Sequence, residues 1–321
     1  MLFRRTLLAL AAAFPLAAHA QVSWPTHPVK IVVPAPAGSS LDVIARLLAD
    51  RLKDRWRQPV VVDNKAGAGG MLGVDVAAKS SPDGHTIAVG FNGPIAFAPF
   101  MYRKMPYDPV KDLAPVVMAT LQANVLAVNA GLPVKTPQEF VAYAKQKAGK
   151  LSYASVGNGS SSHLTMELLL AEAGVHATHV PFGGSPPAAM SVASGETDAL
   201  FAAAPALLPL ARSGKIRLIA TTGRQRMESL KELPTLVESG LPNVESLIWN
   251  GFFVPAGTPE AVVQKINADV NAVLQDATVK QAFDAQGLQP GGGSVADFRN
   301  QAASDMKRWG AIIEKIGLKL D

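Results

Sequence analysis

Four stretches of the chain combine glycine with small residues in a spacing that can hold an anion. They are Ala37-Gly38-Ser39-Ser40, Gly67-Ala68-Gly69-Gly70, Gly157-Asn158-Gly159-Ser160-Ser161 and Gly183-Gly184-Ser185. Each follows an apolar run and precedes a segment with helical periodicity. The first turn of a helix carries N–H groups that lack a partner inside the helix, together with about half a unit of positive charge. Glycine lets a ligand approach that backbone, and serine adds a hydroxyl donor, so such a turn can bind an anion without a basic side chain. Singly, each turn is no more than a tight connection with a serine cap. Two such turns in each half of the chain suggest one small anion gripped from two sides.

Other chemistries fit less well. The run KAGAGGMLG follows a strand, but a dinucleotide fingerprint would need glycine at position 72, which is leucine, and no phosphate-cradling G-x-x-x-x-G-K-[ST] occurs. Ser160 with His163 would be a nucleophile and its base, but they are neighbours in sequence, and no G-x-S-x-G elbow or assigned third member accompanies them. The six histidines make no i,i+4 pair and join no carboxylate cluster, so no metal site is expected. His163 and His179 lie nearest the glycine turns; His179 reads as a packed strand residue, and His163 reads equally as packing or as a ligand contact. Asp198, closing SGETD before an apolar strand, could hold a ligand amine or cap a turn.

These turns must be positioned by strands and helices. Val29–Val33 reads as a strand, followed by a helix from Ser39 to Arg55. Val60–Val62 and Thr86–Val89 are further strands, with a helix between them ending at Ala78. Strands at Val116–Ala119 and Val125–Asn129 lead into a second alternating set. Thr136-Pro137-Gln138-Glu139 starts a capped helix. Strands Leu151–Ser155, Thr178–Pro181, Ala199–Ala202 and Arg217–Thr221 then alternate with helices Ser161–Ala173, Pro187–Ser194 and Pro205–Ser213. Gly251–Pro255 returns as a strand, and helices run from Glu260 to Gln275 and from Ser294 to Lys315. Such alternation predicts an α/β fold with parallel sheets, in two lobes.

The chain of 321 residues opens with Arg4 and Arg5, an apolar run Leu7 to Ala18 and the small-residue site Ala18-His19-Ala20. That is the pattern of a signal peptide, residues 1–20, cleaved after Ala20. There is no cysteine, which excludes disulfides, a thiol nucleophile and an anchor on an N-terminal cysteine, and points to a Gram-negative periplasm. Without its two leader arginines the chain carries 28 basic and 25 acidic side chains, a dispersed +3. Aromatics do not interleave with the basic residues, so nucleic-acid binding is not expected.

The quoted turns carry a resemblance. PAPAGSSLDVIAR resembles the P-x-x-A-G-G-x-x-D-x-x-A-R opening of the Bug-type periplasmic receptors of tripartite tricarboxylate transporters, and VVVDNKAGAGGMLG is similar to their second signature. MPYDPVKDLAPV, YASVGNGSSSHL, HVPFGGSPPA, GETDALF and WNGFFVPAGTP match in order over essentially the whole chain after the leader. The resemblance implies the type II periplasmic binding-protein class: two hinged lobes with a ligand cleft between them. It places residues 21–123 plus 249–321 in lobe 1 and 124–248 in lobe 2, with crossings near Leu121–Val125 and Leu247–Phe252. It also implies that a carboxylate is held by Ala37, Gly38, Ser39 and Ser40 on one side. Gly159, Ser160 and His163 hold it on the other, with Phe182, Gly183 and Asp198 shaping the remainder. Two positions depart from the family pattern. Ser39 replaces a glycine, adding a Cβ and a donor, and Phe182 replaces the commoner tyrosine, removing a hydroxyl.

The expected function is therefore a non-enzymatic, monomeric periplasmic receptor, without cofactor or metal. It captures a small organic carboxylate or amino acid and delivers it to integral-membrane transporter subunits. The absence of Arg and Lys from all four turns leans toward a monoanion or dianion over citrate. Two alternatives stand beside it: a secreted α/β hydrolase built on Ser160 and His163, and a sensory receptor presenting its carboxylate to a membrane signalling partner.

Overall fold

The structure is a computed structural model that describes residues 23–320; the expected signal peptide lies outside the described residues. Strand β1 (Val29–Val33) is closed off from water on both faces from Ile31 onward, as its unbroken β-branched run requires. Helix α1 (Ser40–Trp56) follows, its entry fixed by the Ser39 hydroxyl, which accepts from the Asp42 N–H. Its buried residues Leu41, Ile44, Ala45, Leu48, Leu52 and Trp56 recur at helical spacing and seat it on the sheet. Next come β2 (Val60–Asn64), a 3-10 turn over Ala68–Gly70, α2 (Met71–Ala78) and β3 (Thr86–Phe91). A π-helical turn (Gly93–Phe97) and α3 (Ala98–Met101) precede the long strand β4 (Leu113–Ala123).

After Asn124 alone, β5 (Val125–Asn129) opens a second sheet. It is followed by α4 (Pro137–Lys147), β6 (Ser152–Ser155), α5 (Ser161–Ala173), β7 (Thr178–Pro181), α6 (Ser185–Ser194), β8 (Ala199–Ala202), α7 (Ala204–Arg212) and β9 (Ile216–Thr221). The chain then returns as β10 (Leu247–Pro255), α8 (Glu260–Gln275), α9 (Ala277–Ala285), β11 (Pro290–Gly292) and α10 (Val295–Ile316).

One sheet has the order β11-β4-β10-β3-β1-β2 and the other β7-β6-β8-β5-β9. Each is covered on both faces by helices. One core packs α1 and α8 beneath the first sheet, another packs α2 and α10 above it, and the remaining two sandwich the second sheet. The sheets are mixed, where strand–helix alternation had predicted parallel ones. β1 is parallel to β2 and β3, and β6 to β7 and β8, but β10 runs antiparallel to both β3 and β4, and β5 antiparallel to β8 and β9. The antiparallel strands are those next to the sheet-to-sheet crossings, which enter without a crossover helix to turn them round.

The crossings are knotted together. The Asn124 N–H donates to the Thr222 hydroxyl (2.9 Å), and the Thr222 N–H returns to the Asn124 carbonyl (3.0 Å). Ser246 donates its N–H to the Thr222 carbonyl (3.1 Å), and the Thr222 hydroxyl reaches the Ser246 carbonyl. The Asn124 side-chain amide donates to Ser161 (2.8 Å), with Thr165 and Ser246 within 3.3 Å. β10 pairs with β4 from Leu247 onward, the first residue of the expected Leu247–Phe252 window.

Candidate functional site

The carboxyl ends of β1, β2, β6, β7 and β8 point at one cavity of about 280 Å3. It is lined from the first sheet by Ser39, Ser40, Leu41 and the 67–70 turn. From the second it takes residues 156–158, Ser161, Ser162 and the 181–185 turn, and from the crossings Asn124, Ile248 and Asn250. Helices α1, α5 and α6, and the 3-10 turn ahead of α2, all begin there. The N–H groups of Ser40 and Leu41, and of Ser161 and Ser162, are left over from their own helices' bonding, since α1 and α5 each begin their ladder and cap with later residues. Among the described residues, no Lys, Arg, His, Asp or Glu side chain lines the cavity. The positive end of each helix is thus the source of positive potential there.

At its mouth, turns of the two sheets approach each other closely. A Cβ built on Gly69 would lie 2.5 Å from the Asn158 carbonyl oxygen, and one on Gly184 2.5 Å from Pro36 Cδ. Gly157 packs beside Gly69 at ordinary contact distance (3.4 Å from its built Cβ to the Gly69 Cα). These contacts join turns of the two sheets beside the cavity.

Of the ten residues implied by the resemblance, the structure brings Ser39, Ser40, Phe182 and Gly183 to the cavity wall. Ala37 and Gly38 sit exposed at the rim instead. The Gly38 N–H is spent on Asp42 Oδ2 (2.9 Å). Asp42 is the centre of a network that also takes Arg46 Nε and Asn64 Nδ2, each at 3.0 Å. Burial pushes the Asp42 carboxyl upward, but the hydrogen bonds from Arg46, Gly38 and Asn64 outweigh it and hold it below its ordinary value. Asn64 also donates to the Ala35 carbonyl (2.9 Å), tying the β1 turn to β2.

Gly159, Ser160, His163 and Asp198 do not line the cavity. Gly159 faces Met101, whose Cε would be 2.7 Å from an added Cβ, and its N–H donates to His163 Nδ1 (3.2 Å). Ser160 is the fully buried cap of α5; it accepts from the His163 N–H (3.3 Å) and donates to the Gly157 carbonyl (2.7 Å). Its hydroxyl is therefore bonded to main chain on both sides, and the Ser160–His163 nucleophile pair is not assembled. The His163 ring stacks on His179 at 3.9 Å, and His179 stacks on Tyr153 at 4.9 Å. Burial and then the neighbouring His179 push His163 down to about 3, and burial pushes His179 down to about 4. Both rings are neutral packing elements at physiological pH. Asp198 lies at the amino end of β8, remote from the cavity, where its carboxylate accepts the Ser152 N–H (2.8 Å) and hydroxyl (3.1 Å).

Sequence reasoning did not single out Phe91, Tyr102, Asn124, Val156, Ile248 or Asn250 as wall residues. Asn124 alone carried a signal, as a lone polar residue between two apolar strands. Among the described residues, one cluster has the chemistry of metal ligands: His27, Asp83 and His85, away from the cavity. The two imidazoles stack face to face at 3.6 Å and 17°, so their in-plane lone pairs do not converge on one ion. His85 Nε2 accepts from the Thr26 N–H (3.2 Å), which leaves the ring proton on Nδ1, beside Asp83. The two histidines form a stacked pair, His85 buried and His27 exposed.

Comparison with known proteins agrees with this geometry. The sequence profile of the "Tripartite tricarboxylate transporter family receptor" family matches residues 44–318. Protein BugT of Bordetella pertussis is 34% identical over 299 residues, covering 93% of this chain and 92% of that protein. Among solved structures, Rpa4515 of R. palustris with adipate superimposes with a TM-score of 0.90 at 35% identity, covering 92% of this chain and 99% of its own. MatC of Rhodopseudomonas palustris with bound malate gives 0.86 at 30% identity, covering 90% and 100%.

Proposed function

Because the chain belongs to the tripartite tricarboxylate transporter receptor family, we propose that it is a periplasmic receptor that encloses one small carboxylate and hands it to a membrane transporter. The observation that carries this reading is the uncharged cavity into which helices from both sheets direct unspent N–H groups. A carboxylate placed there takes hydrogen bonds from Ser40 and Leu41 on one side and from Ser161 and Ser162 on the other. Hydrogen bonds to a charged group contribute about 1.5–3 kcal/mol each, so three or four reach the about 8 kcal/mol of a micromolar complex before ordering costs. Ser39, Phe182 and Gly183 shape the same wall, whereas Ala37, Gly38, Gly159, Ser160, His163 and Asp198 keep the frame.

The two sheets with their helices act as lobes, residues 21–123 plus 249–321 and residues 124–248, that open about the Asn124–Thr222–Ser246 knot. Closure is favoured by ligand because only the closed form presents donors of both lobes to one carboxylate. A thermal-shift screen of residues 21–321 against small organic acids, with matching neutral amides and esters, tests the reading. A ligand at 100 times its dissociation constant adds about 2.7 kcal/mol of stability, a rise of a few degrees. Shifts confined to acids are expected. Equal shifts from the neutral analogues, or silence for every acid, would overturn it.

A further inference from the structure

We infer that the cavity selects carboxylates with a bare hydrocarbon body, alkyl or aromatic, and rejects hydroxylated acids. This rests on the receptor reading above and narrows its ligand class. Leu41, Phe91, Tyr102, Val156, Phe182 and Ile248 supply apolar surface from both sheets and from the return crossing. Cβ atoms built on Gly70 and Gly93 would lie 2.7 and 2.8 Å from the Phe91 ring, so the missing side chains of these two glycines make room for the ring in this wall.

Several polar side chains of the wall are committed within the protein. The Ser39 hydroxyl accepts from the Asp42 N–H (3.2 Å), the Ser161 hydroxyl takes the Asn124 amide (2.8 Å), and the Ser162 hydroxyl donates to the Phe201 carbonyl. Asn250 Nδ2 donates to Thr120 (2.8 Å). Asn124 is fully buried, and its unpartnered Oδ1 is closed off from the open space of the cavity. What remains for a ligand is main-chain N–H, suited to a carboxylate, with the side chains of Ser40, Asn158 and Ser185 and the Asn250 Oδ1 as the uncommitted polar atoms open to it at the wall. A hydroxyl on the part of the ligand's body set against Leu41, Phe91, Val156, Phe182 and Ile248 would leave water and meet carbon, which costs a buried unpaired polar group.

The test is titration calorimetry on the intact mature chain. The series is butanoate, hexanoate, octanoate and benzoate, with the matched pairs succinate/malate and butanoate/3-hydroxybutanoate and the neutral control hexanamide. Each added methylene should tighten binding about fourfold until the cavity is full, the equivalent of about 0.8 kcal/mol per buried CH2. The hydroxylated member of each pair should bind at least tenfold more weakly. Phe182→Ala should weaken benzoate about tenfold and butanoate, the smallest body in the series, markedly less. If acids bind but malate equals or exceeds succinate, or if affinity is flat along the alkyl series, the hydrocarbon preference is wrong while the receptor reading stands. If hexanamide matches hexanoate, or no acid binds, the receptor reading fails and this inference with it.

Discussion

Gly69→Ala tests whether the closed cleft is the ligand-holding state. The built Cβ meets the Asn158 carbonyl oxygen at 2.5 Å, a distance at which one of the two lobes must retreat. Gly69 also has φ +62°, a left-handed conformation that costs a non-glycine residue about 1–2 kcal/mol. The two costs are separable. Backbone strain belongs to the first lobe and is present open or closed, whereas the clash exists only when the second lobe arrives. Gly174, at the end of α5, has the same φ of +62° with nothing within 4 Å of a built Cβ, so Gly174→Ala measures strain alone.

Overpacking of this kind costs about 1–3 kcal/mol, and it falls on the closed state, so acid affinity should drop between about fivefold and 150-fold in Gly69→Ala. In Gly174→Ala affinity should stay within twofold of the parent. Both variants should lose similar unliganded stability, a few degrees of melting temperature. Calorimetric affinity for hexanoate, or for the tightest acid of the series, together with the melting temperature of each unliganded variant, gives the comparison. Unchanged affinity in Gly69→Ala would refute the reasoning, since binding would then not require the approach of the 67–70 turn to Asn158.

Three further outcomes follow from the geometry. Ser160→Ala removes the cap of α5 and should lower stability by about 1 kcal/mol with acid binding retained; loss of an esterase turnover in that variant, with binding intact, would restore the hydrolase reading. His163 and His179 have folded pKa values of about 3 and 4 against an ordinary 6.5, so their contribution is complete above pH 6.5 and is lost as pH falls toward 4 and 3. At pH 5 the pair should cost roughly 3–4 kcal/mol, read as the difference in urea unfolding between pH 7.5 and pH 5, and a His163→Asn/His179→Phe variant should flatten that slope. Asp42→Ala frees the Gly38 N–H and unties Asn64 and Arg46; stability should fall by about 1–3 kcal/mol, and acid affinity should fall too because the α1 entry loses its anchor. Unchanged affinity would mean that the network supports the fold alone.

What was legible in the sequence is what is written locally. The apolar runs of β1, β5 and β8 and the serine-capped starts of α1 and α5 appear where the pattern puts them, because a strand's apolar run and a helix's first turn are decided within a few residues. β11, Pro-Gly-Gly, has no apolar residue to announce it and exists by pairing with Thr120 and Met118. α9 buries only Val279 and Phe283, too short a stripe to stand out. At the site the same divide holds. Glycine turns can be found by eye, but the direction in which a turn faces is tertiary: Gly159 belongs to the same turn as Gly157 and yet faces Met101 rather than the cavity. Phe91, Ile248 and Asn250 reach the wall from strands whose neighbours are set by the sheet order. Asp198 is a different matter. Ligands of open α/β sheets gather at the carboxyl ends of strands, and Asp198 precedes β8. Strand polarity, readable from the sequence, already assigned that carboxylate to the far edge of the sheet, where Ser152 holds it.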